Sequence, residues 1–455
     1  VTTVSEAISS DAGAIGGSVS AWESSSSGES KRVLMICAAF PPTGGPGVQR
    51  TAKFAKYLPQ FGWRPTVWTT QHLPPLPRDP SLLHDIPDAV DIHRFETPSA
   101  GGDDAGGHWR WRRLRQRAAA LTPPDYLAGW AKRSTAPLLR MIRRENIDAI
   151  YSTYSPPSCH VLAQRLKRHT QLPWVADFRD LWTDDYGYHA PGWRRWLDRR
   201  METSFLGDAD RIIAVSDGQR DILAKRISGN REKVLTITNG FDPDDFEGAS
   251  HDAARHALHG PSNRFVLLFC GWFLSDRVPS ALPDALARYA DRCRQQGRAL
   301  ELRIVGAISD QLRDRIQNAG VNIVATGYLP HDAALCHLNA ADALLMLVPT
   351  AGAGDTLIPG KCFEYIASGR PILLIGPTGG EAAKLVRQFD AGIVSAPNEK
   401  HMVAALERLT LCTNDQSSRQ MDKAMLEAIS RVQLTGRLAN VLDDVTATVQ
   451  RDIRS

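Results

Sequence analysis

Short apolar runs of strand length recur along this chain, each followed by a turn and then by helical periodicity. In the first half they are Val33–Ala39, Pro65–Thr70, Asp148–Ser152, Trp174–Asp177, Arg211–Val215 and Val234–Ile237. In the second half they are Phe265–Gly271, Leu300–Val305, Val321–Thr326, Ala343–Val348, Pro371–Ile375 and Gly392–Val394. Strand and helix alternating in this way build doubly wound sheets. Two such series in tandem predict an α/β fold of two Rossmann-like domains facing each other across a cleft. The expected division is a disordered tail over 1–30, a first domain over 31–243, a second over 244–435, and a C-terminal helix over 436–455 packing back toward the first domain. The turn-rich Asn239-Gly240-Phe241-Asp242-Pro243 is the expected hinge. A single helix is expected from Val48 to Phe61 and another over Ser134–Glu145, whereas 72–130 shows poor periodicity.

With 455 residues there is room for roughly two or three domains. Hydrophobic content of 43% and charged content of 23% are those of a soluble globular protein. The net charge of +4 is weak evidence for a polyanionic partner, so the placement of basic residues matters more than their sum. Seven cysteines, scattered and without C-x-x-C spacing, argue against a disulfide framework or zinc site and for a reduced compartment. No apolar run approaches the ~18–20 residues of a membrane-spanning helix. Residues 1–30 are rich in Ser, Gly and Ala, unlike a secretory signal.

The stretch richest in chemistry is Ile358-Pro359-Gly360-Lys361-Cys362-Phe363-Glu364-Tyr365, which runs on to Pro371. Pro359 and Gly360 stand where a loop hands over to a helix. Lys361 and Glu364 are three apart and reach one ligand from one side of that helix. A cation, a carboxylate and a helix N-terminus suit a ligand with both phosphates and hydroxyls. The plainer alternative is a surface ion pair, against which stands the Gly-rich approach Ala351-Gly352-Ala353-Gly354-Asp355.

In the first half, Gly44-Gly45-Pro46-Gly47-Val48-Gln49-Arg50 makes a strand-to-helix turn but has Arg where a dinucleotide fingerprint needs Gly or Ala. Arg50 and Lys53 stand one helical turn apart beside it. Asp177, Arg179 and Asp180 follow a buried strand, where open sheets bind ligands, and they either hold hydroxyls or act on a proton, or Arg179 and Asp180 pair with each other. Two patches, Trp109–Arg117 and Trp193–Arg200, mix arginine with tryptophan and are expected to meet an anionic membrane surface rather than nucleic acid, the plainer alternative being a solvated basic face.

In these stretches, and in Thr238–Asp242 and Gly327-Tyr328-Leu329-Pro330-His331, the chain resembles the family-four retaining glycosyltransferases of the GT-B fold, in the branch serving bacterial surface polysaccharides. The resemblance implies that the first domain receives an acceptor and the second a UDP- or GDP-sugar, with no cofactor and no metal. Glu364 would hold the ribose, and Arg277 and Lys361 would neutralise the diphosphate. Tyr328, Leu329 and His331 would border the base, Gly45 and Gly47 would face the diphosphate across the cleft, and Gly271, Pro359 and Gly360 would line the donor. Many relatives carry a second Glu eight positions before Glu364; here that position is Thr356, so the loop containing Gly354 is expected to offer backbone amides instead. Many also carry His where this chain has Phe178-Arg179-Asp180. Catalysis is therefore assigned to Asp180, Arg179, Arg277 and Lys361, and acceptor binding to Arg50, Asp177 and Tyr186. The expected acceptor is a lipid-linked saccharide at the cytoplasmic face of the membrane. The rival readings are a sugar-nucleotide 2-epimerase of the same architecture and a non-catalytic nucleotide-sugar-binding scaffold.

Overall fold

The structure is a computed structural model that describes residues 30–45, 47–71, 76–96, 123–227, 229–246, 264–274, 278–414 and 422–454. Its first domain runs β1 (Lys31–Ile36), α1 (Val48–Tyr57), β2 (Trp63–Thr70), β3 (Asp91–Phe95), α2 (Ala128–Glu145), β4 (Ala149–Tyr154), α3 (Ser158–Thr170), β5 (Trp174–Phe178), α4 (Gly192–Asp208), β6 (Arg211–Ala214), α5 (Asp217–Ala224) and β7 (Val234–Thr236). The second runs β8 (Arg264–Cys270), α6 (Leu282–Gln295), β9 (Ala299–Val305), α7 (Asp310–Asn318), β10 (Asn322–Gly327), α8 (His331–Ala340), β11 (Ala343–Leu347), α9 (Lys361–Ala367), β12 (Ile372–Ile375), α10 (Glu381–Gln388), β13 (Gly392–Ser395) and α11 (Glu399–Asn414). Two last helices follow, α12 (Lys423–Ala428) and α13 (Arg431–Arg454). The strands form two parallel sheets, ordered β3-β2-β1-β4-β5-β6-β7 and β10-β9-β8-β11-β12-β13. Both orders reverse direction beside their first strand, at β1/β4 and at β8/β11, which are the crevices where such sheets receive ligands.

Alternation along each strand separates the cores. Leu34 and Ile36 of β1 face α2, α3 and α4 through Trp130, Leu138, Leu162 and Phe205. Val33 and Met35 face α1 and α13, with Phe54, Leu434, Leu438 and Leu442. The C-terminal helix thus completes the first domain's core. Its apolar residues at 434, 438, 441, 442 and 445 recur with helical period and make one stripe.

Several expected boundaries move for local reasons. Helix α1 stops at Tyr57 and Leu58–Phe61 tightens into a 3-10 turn, because Pro59 has no N–H to continue the ladder. Helix α2 starts at Ala128, well before Ser134, and carries Pro137 within it. The aperiodic region holds the edge strand β3, whose residues Asp-Ile-His-Arg-Phe are all half-buried and so show no alternation. Helix α13 begins at Arg431 rather than 436: the Ser430 hydroxyl accepts from Gln433 N at 3.2 Å, and Arg431 N donates to the Phe241 carbonyl at 2.8 Å. The expected hinge is therefore bound to the start of the last helix.

Two expected acceptor contacts are corrected. Arg50 and Asp177 are 1% and 0% exposed and face each other at 2.8 Å. Arg50 also donates to the carbonyls of Ile237 at 2.9 Å and Thr238 at 2.7 Å, and Asp177 accepts from Tyr151 at 2.7 Å and Thr153 at 2.9 Å. Neither side chain is presented to a ligand. Burial disfavours the Asp177 charge, but the Arg50 guanidinium and these hydroxyls outweigh it and hold the carboxyl below its usual range. Lys53 is likewise buried, with its ammonium 2.7 Å from Asp85, 2.6 Å from Asp242 and 2.9 Å from Asp245. Those three carboxylates lie within 4.8 Å of one another, a spacing a metal could use, but the lysine already sits among them.

Asp177→Ala should leave Arg50 buried without its counter-ion and cost about 3–5 kcal/mol, read from the urea midpoint. Asp242 is disfavoured by burial but held at about 2 by Lys53 and its hydrogen bonds, and Asp177 and Asp245 are also depressed. Carboxyls depressed in this way stabilise the fold fully above their unfolded value of 3.8. That stability should drain away as pH falls from about 4 to about 2, a loss that unfolding curves at stepped pH measure.

Candidate functional site

The reversal point of the first sheet is occupied by Arg179. Its Nε donates to the Tyr154 carbonyl at 2.7 Å, at the end of β4, and its guanidinium lies against Gly47, the residue before α1. A Cβ built on Gly47 would fall 0.8 Å from Arg179 Nη1, and Gly47 has φ of 83°; both demand glycine. Asp180 follows, 3.7 Å from Arg179, with 45% of its side chain exposed. Protein crowds its carboxyl and raises its proton affinity; Arg179 opposes this, and Asp185 adds to it. A solvent-reachable carboxyl of raised proton affinity can accept a proton from a hydroxyl placed above it.

The second reversal point is built in the same way. Lys361, first residue of α9, donates from Nζ to the Cys270 carbonyl at 2.8 Å, at the end of β8. Its ammonium stands 3.6 Å from the centre of the Phe269 ring, and Tyr365 accepts from Cys270 N at 2.9 Å. Gly271, next along, has φ of 125°. Pro359 and Gly360 precede the helix as expected, with Gly360 exposed. Glu364 is half-buried, and no hydrogen bond is formed by its carboxylate among the described residues. Cation and carboxylate thus share one edge of the cleft.

The remaining expected donor contacts divide. Tyr328 is 48% exposed and its hydroxyl donates to Asp79 at 3.1 Å. Gly44 lies beneath it, since a Cβ there would come 2.4 Å from the Tyr328 oxygen. His331 donates from its backbone N to Asp79 at 3.1 Å, and its Nε2 pairs with Asp245 at 3.1 Å. Burial opposes the imidazolium, but Asp245 and then Glu364 raise its pKa. These two residues bind the domains together across the cleft, and Leu329 packs at the edge of the second core. Gly45, with φ of 99°, lies beside Leu76 and Pro77, in the loop that ends at Gly47.

Thr356 does not face a donor. It is buried, its hydroxyl donates to Ala353 O at 2.8 Å, and its carbonyl accepts from Ser216 Oγ at 2.6 Å. Its side chain fills the space over Gly218. The loop's amides at Gly354, Thr356 and Leu357 bond to the carbonyls of Ala351, Ala353 and Gly354, so these three are spent in turns. Gly354 itself is needed because a Cβ would meet the Pro349 carbonyl at 2.1 Å. Tyr186 meets the same loop, its Cα 2.9 Å from a Cβ built on Gly352. Arg277 and the Trp109–Arg117 patch lie outside the described residues. In the second patch Arg194 turns inward to Asp198 at 2.8 Å, leaving Trp193 and Trp196 57% and 62% exposed beside Arg199 and Arg200. Sequence reasoning missed Asp79 and Ser216, each distant in sequence from the loop it holds.

Residues 44–240 match the family described as Glycosyl transferase 4-like domain. The chain is 26% identical over 220 residues to a D-inositol 3-phosphate glycosyltransferase of Saccharomonospora viridis, across 46% of this chain and 49% of that one. It is 28% identical over 152 residues to the enzyme of the same name from Gordonia bronchialis, across 33% and 31% of the two chains. The chain therefore spans about half the length, or less, of these curated relatives. Among solved structures it resembles sucrose-phosphate synthase from Thermosynechococcus elongatus, with a TM-score of 0.63 at 14% identity over 93% of this chain and 98% of that one. It also resembles HepE of Anabaena, solved in complex with UDP-glucose, with a TM-score of 0.61 at 15% identity over 91% and 99%. At such identities the likeness is one of fold. Residues 44–240 thus match a glycosyltransferase family, and the two-sheet architecture of the whole is that of the GT-B fold.

Proposed function

We propose that this protein transfers a glycosyl group from a nucleoside diphosphate sugar to an acceptor hydroxyl with retention of configuration. The observation that carries the reading is the pair of cation-bearing crevices, Arg179 with Asp180 on one side of the cleft and Lys361 with Glu364 on the other. Lys361 and the start of α9 stabilise the departing diphosphate as positive character grows on the sugar, and Glu364 takes the ribose diol. Arg277 adds a second cation. Arg179 is a group of fixed charge at the opposite face, and Asp180 orients or deprotonates the acceptor hydroxyl. A donor of the UDP-sugar class is supported by HepE, a protein of similar fold solved with UDP-glucose.

The acceptor is proposed to be a lipid-linked saccharide of surface-polysaccharide assembly, met at the cytoplasmic face of the membrane. Trp193 and Trp196 support this: two large exposed aromatics on one turn of α4, flanked by Arg199 and Arg200, suit the boundary between headgroups and acyl chains. No helix among the described residues is long and apolar enough to cross a membrane. The curated relatives are named for an inositol phosphate acceptor, so inositol phosphate belongs beside lipid extracts in the acceptor panel.

Transfer from UDP- and GDP-sugars to that panel tests the reading. Lys361→Ala and Glu364→Gln should each lower kcat/KM by about 10²–10³-fold; unchanged transfer in both would remove the donor-site assignment. An epimerised sugar nucleotide formed without acceptor would establish the epimerase instead. Separately, Trp193→Ala with Trp196→Ala should weaken binding to phosphatidylglycerol-containing vesicles by about fivefold or more and leave nucleotide affinity intact, as co-sedimentation and calorimetry would show.

A further inference from the structure

Arg431 opens α13 at the seam between the domains and is 5% exposed. Its Nη1 is sealed from solvent without a hydrogen-bond partner, and no carboxylate among the described residues pairs with it. Burial and the neighbouring Arg50 charge lower its pKa to about 10, while Glu364, Asp242 and Asp245 pull the other way. Asp242 and Asp245 are committed to Lys53, Lys56 and His331. That leaves Glu364, whose carboxylate also forms no hydrogen bond among the described residues. The seam lies beside the start of α9, since Asn239, two residues before Phe241, is 4.0 Å from a Cβ built on Gly360. The buried cation and half-buried carboxylate form no ion pair with each other among the described residues. Uncompensated buried charge is costly, and buried polar groups are rarely left without partners.

One kind of ligand satisfies both groups. A guanidinium takes phosphate oxygens through its fork of N–H donors, and a carboxylate takes the paired hydroxyls of a ribose. We propose that Arg431 is a phosphate-binding residue of the donor site, contacting the diphosphate of a nucleotide whose ribose is held by Glu364. The inference rests on the nucleotide-sugar reading above. Its setting adds a consequence. The stripe of α13 beyond Arg431 belongs to the first domain's core, and the Arg431 N–H is bound to Phe241. A donor seated on the second domain is thus gripped by a side chain anchored in the first.

The test is calorimetric titration of the full chain with UDP and GDP, each against its nucleoside. Wild type should bind one diphosphate more tightly than the matching nucleoside. Arg431→Met, which keeps the bulk and removes the charge, should weaken that diphosphate by about tenfold or more and leave the nucleoside unchanged. Glu364→Gln should weaken both. Diphosphate affinity in Arg431→Met within about twofold of wild type overturns the inference and leaves the donor reading standing, and a lowered melting midpoint with that unchanged affinity marks a structural residue. If wild type binds neither diphosphate, the donor reading itself fails and the inference goes with it. Should Arg431→Met not fold, Arg431→Lys replaces it: about threefold weaker diphosphate binding at an unchanged melting midpoint is expected, and unchanged affinity overturns the proposal.

Discussion

The buried pair between Arg50 and Asp177 ties three distant parts of the chain to one point. Arg50 comes from the first turns of α1, Asp177 from β5, and the carbonyls of Ile237 and Thr238 from the segment leaving β7. A buried guanidinium demands acceptors for all its N–H groups, so the exit of the first domain is held in place by the beginning of that domain. From there the ionic network continues outward. Lys53 and Lys56 bind Asp242, Lys53 also binds Asp245, and Asp245 binds His331 of the second domain. The segment that reads as a hinge is consequently braced on both sides, and Phe241 pairs with Ser430 beside it.

On this brace the two sheets present equivalent crevices. In each, the chain reverses the order of its strands, a glycine with positive φ allows close approach, and a cation rests on a carbonyl at the end of a strand. Arg179 does so over Gly47 and Tyr154, and Lys361 over Cys270 beside Gly271. Parallel sheets direct all their strand ends the same way, so two of them arranged mouth to mouth gather loops from both domains into one cleft. Asp79, bonded to both Tyr328 and His331, closes that mouth at one rim. Ser216 and Thr356 close it elsewhere.

Much of this was legible beforehand. Apolar runs at strand length gave the sheets, and the Lys361–Glu364 spacing gave one edge of the cleft, because three residues along a helix return to the same side. Charge near a strand end was less informative. Arg50, Asp177 and Arg179 carry the same local signal, yet the first two neutralise each other in the interior and only Arg179 stands in the crevice. At Thr356, where relatives carry a Glu, the expectation falls on the loop's backbone amides; the threonine's own hydroxyl and carbonyl serve a turn and a domain contact.

By itself, then, the sequence determined what short-range periodicity can encode: which segments become strands and helices, that the sheets are covered on both faces, and that a cation and a carboxylate meet at the start of α9. Tertiary structure decided which charges are spent on folding and which remain for a ligand. Arg431 shows why. It lies 67 positions from Glu364 in the chain, and nothing in its neighbours marks it. Only the return of α13 across the first domain, driven by the burial of Leu434, Leu438 and Leu442, carries it to the cleft.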